Sequence, residues 1–346
     1  MLKRLRRREP LFDCFPFGSR LLRCFVSMSP LVSGMVERVG GTEGSISLKS
    51  FSLVFVVCVE GWRRSGFAGV SGVVEGYADR WALVTGASSG IGAEFARQLA
   101  ARGMHLVLVA RREDRLKELA EELDTRHGSR CEVIVADLSV PEESRRLFDE
   151  VASRKIEVEL LINNAGFGYV GTVDDAEPQR MMEMTRLNIG ALTELTYLFL
   201  PAMLERRHGG IINVASVAAF QPVAYMPVYS ASKAFVLHFS EALWAECRDR
   251  NVIIQGLCPG TTATEFFDVA GASGWLKKQR SHTSAYVVRK SIRGLDKGRQ
   301  YVVPGFLNLV LSLSVRLARR KMVVLQSMRF FRPRPKNKPD DQSSAN

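Results

Sequence analysis

The chain reads as an α/β protein, a doubly wound parallel sheet in a three-layer α/β/α sandwich. Three observations predict this. From Asp79 onward, short unbroken apolar runs alternate with amphipathic stretches. The first apolar run leads directly into a glycine-rich turn, Thr85-Gly86-Ala87-Ser88-Ser89-Gly90-Ile91-Gly92. The polar residues best suited to chemistry fall at the carboxyl ends of the apolar runs, where open parallel sheets bind their ligands. Unbroken apolar strands are what a sheet covered on both faces requires.

The elements follow in order. Trp81–Thr85 is the first strand and Gly90–Arg102 the first helix. His105–Ala110 is a strand, followed by a helix from about Arg112 to His127. Cys131–Ala136 is the third strand, and the next helix runs from about Pro141, a residue suited to a first helical turn. Leu160–Asn163 is a strand, followed by a helical zone from about Gln179 to Glu205. Ile211–Ala215 precedes a helix that carries Tyr229 and runs to about Arg250. Val252–Cys258 and a short Tyr301–Val303 complete the sheet.

The 346 residues carry a net charge of +12, which sits at the two ends. Residues 1–78 contribute +5 and residues 306–346 contribute +7, while 79–305 is neutral. A neutral body argues against electrostatic binding of nucleic acid. The cysteines at 14, 24, 58, 131, 247 and 258 form no Cys-x-x-Cys pair, so neither a metal site nor a disulfide framework is expected. A reducing, cytoplasmic setting fits this usage.

Three regions are expected. Residues 1–78 lack a folded pattern and read as a disordered or misassigned extension. Their apolar run Ser52–Val59 is too short for a membrane helix. Residues 79–305 form a single catalytic domain. Residues 306–346 read as an apolar and basic helical segment with a disordered end. Within it, Phe306 to Leu317 is followed by Arg316, Arg319, Arg320 and Lys321. This segment either packs on the domain as an ordinary helix or lies on a membrane surface through 306–332, drawn to anionic lipid.

The glycine turn lies between a strand and a helix, the context in which backbone approaches a pyrophosphate and the helix N-terminus offers N–H groups and a positive dipole end. Gly86, Ser88, Ser89, Gly90, Ile91 and Gly92 are therefore candidate nucleotide contacts. The second strand ends in Arg111-Arg112 with no carboxylate before Glu113. A carboxylate there would favour an unphosphorylated ribose, whereas a guanidinium pairs with phosphate. NADP(H) is accordingly expected over NAD(H), with Arg111 carrying the 2′-phosphate and Ser88 helping. The alternative is a solvated helix start. Asp137-Leu138 ends the third strand, where it could hold adenine or cap the following helix.

Tyr229 and Lys233 are one helical turn apart and share a face. An ammonium beside a phenol favours the phenolate, so a lowered Tyr229 pKa is expected, which would fit it for proton transfer. Ser216 follows a strand, and Asn188 stands mid-helix, where asparagine is disfavoured unless it has a specific polar role.

Together these residues resemble the short-chain dehydrogenase/reductase family over roughly 79–305. The resemblance rests on the glycine turn, Asn163-Asn164-Ala165-Gly166, Asn188, Ser216, Tyr229 with Lys233, and Pro259-Gly260 followed by Thr264. It is closest to the compact NADP-dependent ketone, steroid and ketoacyl reductases, and implies a Rossmann fold. It also implies that Tyr229 exchanges a proton with a carbonyl oxygen and that Ser216 hydrogen-bonds that oxygen. Lys233 would bond the nicotinamide ribose, and Asn188 would hold a water linking Lys233 to solvent. Asn164, Ala165 and Gly166 would lie near the adenosine ribose, and Pro259, Gly260, Thr262 and Thr264 near the carboxamide. A homo-oligomer, dimer or tetramer, is implied through the helices 179–205 and 228–249.

Ala218, Phe220, Tyr225, Phe266, Phe267 and Trp275 suggest a hydrophobic ketone or alcohol, although aromatics there could equally be core. The segment from Thr264 to about Thr283 reads as a mobile lid. The expected activity is NADP(H)-dependent interconversion of a ketone or aldehyde and an alcohol. Two other readings stand beside it: a non-catalytic NADP(H)-binding sensor or scaffold, and a membrane-peripheral reductase of lipidic ketones.

Overall fold

The computed structural model describes residues 76–271 and 281–332, all within one compact unit, Ala68–Asn346. The expectations for residues 1–75, for Trp275 and for the last residues of the tail lie outside the described residues.

Seven strands form one parallel sheet in the order β3-β2-β1-β4-β5-β6-β7. They are β1 (Trp81–Thr85), β2 (His105–Ala110), β3 (Cys131–Val135), β4 (Val158–Asn163), β5 (Gly209–Val214), β6 (Val252–Leu257) and β7 (Tyr301–Val302). Chain direction across the sheet reverses between β1 and β4, the switch point beside which such sheets bind ligands. This is the Rossmann-type fold the sequence predicts.

Both faces of the sheet are buried, which is why β2, β4, β5 and β6 are buried at every position and mostly apolar without alternation. One face is covered by α1 (Gly90–Ala100), α2 (Glu113–His127) and α8 (Ser284–Leu295). Phe95, Leu99, Leu116, Leu123, Val288 and Ile292 from these helices are wholly buried there. The other face is covered by α3 (Glu143–Ser153), α5 (Leu192–Arg206) and α6 (Pro227–Cys247) through Leu147, Leu195, Phe199, Met203 and Leu243. Each such side chain contributes about 1.5–3 kcal/mol on burial.

Several boundaries depart from the pattern in instructive ways. α3 begins at Glu143 and not at Pro141, because Glu142 takes a left-handed backbone (φ 65) that breaks the helical start. The zone expected as one helix is α4 (Pro178–Thr185), a π-helical turn over Arg186–Ala191, and α5. Pro178–Arg206 is long and apolar enough to cross a membrane, yet Leu195, Phe199 and Met203 place its inner face in the core. A one-turn helix, α7 (Phe266–Val269), stands in the segment read as a lid. It is tied down by Val170 N–H to Ala270 O at 3.1 Å and by Arg180 to Val269 O at 2.8 Å. Beyond β7 the chain continues as α9 (Phe306–Ser314) and α10 (Arg320–Phe331).

Candidate active site

The site begins with the β1–α1 turn. Thr85 ends β1 with its hydroxyl donated to Ile162 O at 3.2 Å, while accepting the N–H of Asn164 at 2.9 Å and of Ala165 at 3.0 Å. One hydroxyl thus locks the ends of β1 and β4 together. Asn164 completes the lock by donating its side-chain amide to Thr85 O at 2.9 Å and Gly86 O at 3.3 Å. Asn163 does the same across β4 and β5, donating to Asn213 at 3.0 Å.

Gly86 and Gly90 stand at φ 65 and 60, a region that side chains disfavour. Gly92 has ordinary backbone angles, but a Cβ there would lie 2.3 Å from Gly86 O and 2.5 Å from the Asn164 amide. Close packing of α1 onto the turn is therefore possible only with glycine. Gly92→Ala is expected to cost about 1–3 kcal/mol of stability and to abolish nucleotide binding, because the turn must move. Thermal melts and an NADPH titration check this; unchanged values in both would show that the turn has slack.

Above the turn opens a cavity of ≈ 420 Å³. Gly86, Ser88, Ser89, Gly90, Ile91, Arg111, Arg112, Asp137, Leu138, Asn164, Ala165, Gly166, Ser216, Tyr229, Lys233, Pro259, Gly260, Thr262 and Thr264 all line it. Gly92 and Asn188 are not on its wall. Gly92 sits behind the turn. Asn188, in the π-helical turn, accepts from Phe167 N–H at 3.2 Å and donates to Phe167 O at 3.0 Å and Ser232 Oγ at 3.1 Å. Its amide thus pins the loop after β4 to α6. A Cβ on Gly166 would lie 2.8 Å from Asn188 Oδ1 and 3.5 Å from Lys233 Nζ, so this glycine is what lets the loop reach Lys233.

The two arginines divide unexpectedly. Arg112, not Arg111, reaches the glycine turn, donating to Ser88 at 3.0 Å and Ser89 at 2.9 Å. Arg111 lines the cavity but is 73% exposed, with Asp137 at 3.6 Å. The reason is Glu265, which the sequence reading missed. Its carboxylate pairs with Arg112 at 2.9 Å and Arg115 at 2.5 Å, drawing Arg112 across the cavity rim. These two guanidinium groups hold Glu265 below the usual carboxylate range. Asp137 turns inward to the Ser139 N–H and hydroxyl, at 3.0 and 2.6 Å. Burial works to raise Asp137, but those hydrogen bonds and Arg111 outweigh it and its pKa falls.

Ser216, Tyr229 and Lys233 converge at the far end of the cavity. Ser216 caps the short 3₁₀ turn Val217–Phe220 by accepting the Ala218 N–H at 3.1 Å. Lys233 is buried and donates to Val214 O at 2.7 Å, with its Nζ 5.8 Å from the centre of the Tyr229 ring. The expected lowering of the Tyr229 pKa is not found. Burial pushes the phenol up to about 12, opposed by a hydrogen bond with Ser216. Burial also pulls Lys233 down to about 8, opposed by attraction to Cys258. Desolvation by burial is the largest cause of both shifts.

The wall facing Tyr229 is apolar. Ala218, Phe266 and Phe267 line it as expected, joined by Phe167, Leu187, Met226 and Val269. Phe220 instead packs edge-on against Tyr301 in a separate cluster. Tyr225 is off the wall as well, held at φ 65 with its carbonyl accepting the Gly171 N–H. Phe331 of α10 lines the cavity too, a contact no local pattern could have shown.

The profile of the family described as short chain dehydrogenase matches residues 80–273, more than half of the chain. The chain belongs to the short-chain dehydrogenase family. Among similar proteins, very-long-chain 3-oxoacyl-CoA reductase of Anas platyrhynchos is 36% identical over 199 residues, covering 56% of this chain and 63% of that protein. Inactive hydroxysteroid dehydrogenase-like protein 1 of Homo sapiens is 33% identical, covering 54% and 56%. The chain thus spans less than two thirds of the length of these relatives. A short-chain dehydrogenase from Sphingobium yanoikuyae, solved in complex with NADPH, superposes with a TM-score of 0.64 at 30% identity, covering 77% of this chain and 98% of that one.

The residues present fit a nicotinamide dinucleotide. Gly86 and Gly90 leave a cradle that no Cβ obstructs, and Gly90 and Ile91, which open α1, line the cavity, in the context where a helix N-terminus offers N–H groups to a phosphate. A guanidinium stands beside two hydroxyls at the rim.

Proposed function

We propose that this short-chain dehydrogenase is an NADP(H)-dependent oxidoreductase that interconverts an apolar ketone or aldehyde with its alcohol. The carrying observation is that one cavity joins the glycine cradle to Ser216, Tyr229 and Lys233, with an apolar wall opposite. Bound NADPH would supply a hydride. The chain's own residues do the rest. Ser216 orients the carbonyl oxygen and opposes its growing negative charge. Tyr229, protonated at neutral pH because burial raises its pKa, is positioned to give that oxygen its proton. Lys233 supplies positive charge near the phenol as it loses the proton, and Phe266 and Phe267 exclude water.

Arg112, with Ser88 and Ser89, is the group proposed to hold the 2′-phosphate. The preference for NADP(H) rests on this cluster and on the absence of a carboxylate at the end of β2. Arg112→Gln is expected to weaken NADPH about 10–100-fold and leave NADH nearly unchanged. Fluorescence titration of both cofactors tests it; equal losses for the two, or equal affinity in the wild type, would refute the preference. The sensor reading has one motivation, a relative whose name marks it inactive. A sensor needs the cradle but not Ser216 and Tyr229. A homo-oligomer is proposed through the outer faces of α5 and α6, where Tyr197 and Phe235 are exposed.

A further inference from the structure

The α9–α10 segment leaves most of its large apolar side chains in solvent. In a helix packed on a soluble domain, the apolar stripe faces the core and polar residues face water. Here the buried positions are Ser312 and Ser327, with Asn308, Leu309, Leu313, Val323 and Val324 half-buried beside them. The Asn308 side chain fills the space where a side chain on Gly260 would stand, and Ser327 Oγ accepts the Ala224 N–H at 3.0 Å. Outward point Phe306, Leu307, Val310, Leu311, Leu317 and others. Nine of the sixteen large hydrophobic side chains exposed among the described residues lie between Phe306 and Arg332. The same stretch holds six Lys/Arg and no Asp/Glu. Its far end, Phe331, lies in the cavity wall and in the apolar cluster that contains Tyr229.

We infer that α9 and α10 form a docking surface for an anionic lipid bilayer, and that the cavity opens beside this surface to receive a carbonyl compound dissolved in the membrane. An apolar face ringed by cations and free of anions is the composition that inserts into the headgroup boundary of acidic membranes. A second copy of the chain would bring the same positive charge onto itself, which disfavours a self-paired contact through this face. The substrate half of the inference rests on the reductase reading; the docking half does not.

Flotation of the full chain with phosphatidylcholine vesicles, with and without phosphatidylglycerol, tests the docking. The protein is expected to float only with the anionic vesicles, and less so as salt is raised. Phe306→Ser/Leu307→Ser/Leu311→Ser, all on exposed positions, is expected to abolish flotation while circular dichroism and NADPH binding stay unchanged. Arg319→Glu/Arg320→Glu/Lys321→Glu is expected to do the same through charge. Failure of the wild type to float, or flotation unaffected by both variants, would overturn the proposal. So would light scattering that shows a wild-type oligomer dispersed by the serine variant without any lipid binding. For the substrate half, a long-chain ketone carried in anionic vesicles is expected to be reduced faster than a short soluble ketone. The serine variant is expected to lose that advantage and keep the soluble rate. Reduction of neither ketone would count against the reductase reading alone, with flotation still deciding the docking. Equal use of both by the wild type would overturn the substrate half.

Discussion

Replacing Tyr229 by phenylalanine is expected to cut turnover by about 10²–10⁴-fold and to leave NADPH affinity close to that of the wild type. The substitution removes one oxygen from a buried ring, and with it the hydrogen bond to Ser216. The ring would keep its packing on Phe266, whose centre lies 5.3 Å away. Ser216 would lose its hydrogen bond with the phenol but keep the Ala218 N–H that it accepts. The cradle around Gly86 and the Arg112 cluster are untouched. A purely structural role for Tyr229 would show as a lower melting temperature with turnover preserved. The pH profile should separate the two directions. With the phenol pushed up to about 12, its proton is in place around neutrality, so reduction should be flat there. Oxidation needs the phenolate and should climb with pH.

Lys233→Met is expected to do something less intuitive: remove activity and raise stability at neutral pH. Folding buries this ammonium and lowers its pKa from 10.5 to about 8. That depression corresponds to a cost of about 3 kcal/mol while the group stays charged in both states. Loss of the 2.7 Å bond to Val214 O offsets about 1 kcal/mol of the gain. A net gain of about 2 kcal/mol at pH 7 follows from these two terms. The sign depends on pH. A lysine depressed on folding costs most below its folded pKa, and the cost vanishes as pH rises through the unfolded value. The advantage of the variant should therefore shrink from pH 8 upward and reverse near 10.5, where only the lost hydrogen bond remains. Denaturant melts across that range measure it. A variant less stable at every pH would show that Lys233 is a net structural prop. Its loss of turnover with a gain in stability would mark it as a functional strain.

Much of this was legible in the sequence because it is written in local pattern. Continuous apolar runs gave β2, β4 and β6 to within two residues, and the glycine turn fell between β1 and α1 as expected. Nineteen of the proposed contacts converge on one cavity because most stand at or just beyond strand ends, and the topology brings strand ends together. What escaped depends on contacts distant in sequence. Arg112 rather than Arg111 faces Ser88 because Glu265, on the segment after β6, draws it there. The Tyr229 pKa moves up and not down because its burial is set by α6, α7 and the loop after β4 together, which spacing along one helix cannot report. The π-helical turn that aims Asn188 at Phe167 has no signature in Arg186–Ala191. The tail was readable as apolar and basic, but only packing shows that Ser312 and Ser327 face inward while Phe306, Leu307, Leu311 and Leu317 face outward.

The most direct test of hydride transfer in this cavity uses NADPH deuterated at the transferring C4 position and an apolar ketone, with the alcohol product analysed by mass spectrometry. One deuterium on the carbinol carbon of the product, absent when Tyr229→Phe replaces the wild type, is the expected result. An alcohol without the label, or no alcohol from alkyl ketones, 3-ketoacyl compounds and steroids while NADPH binds tightly, would contradict it and leave the cavity as a binding site alone.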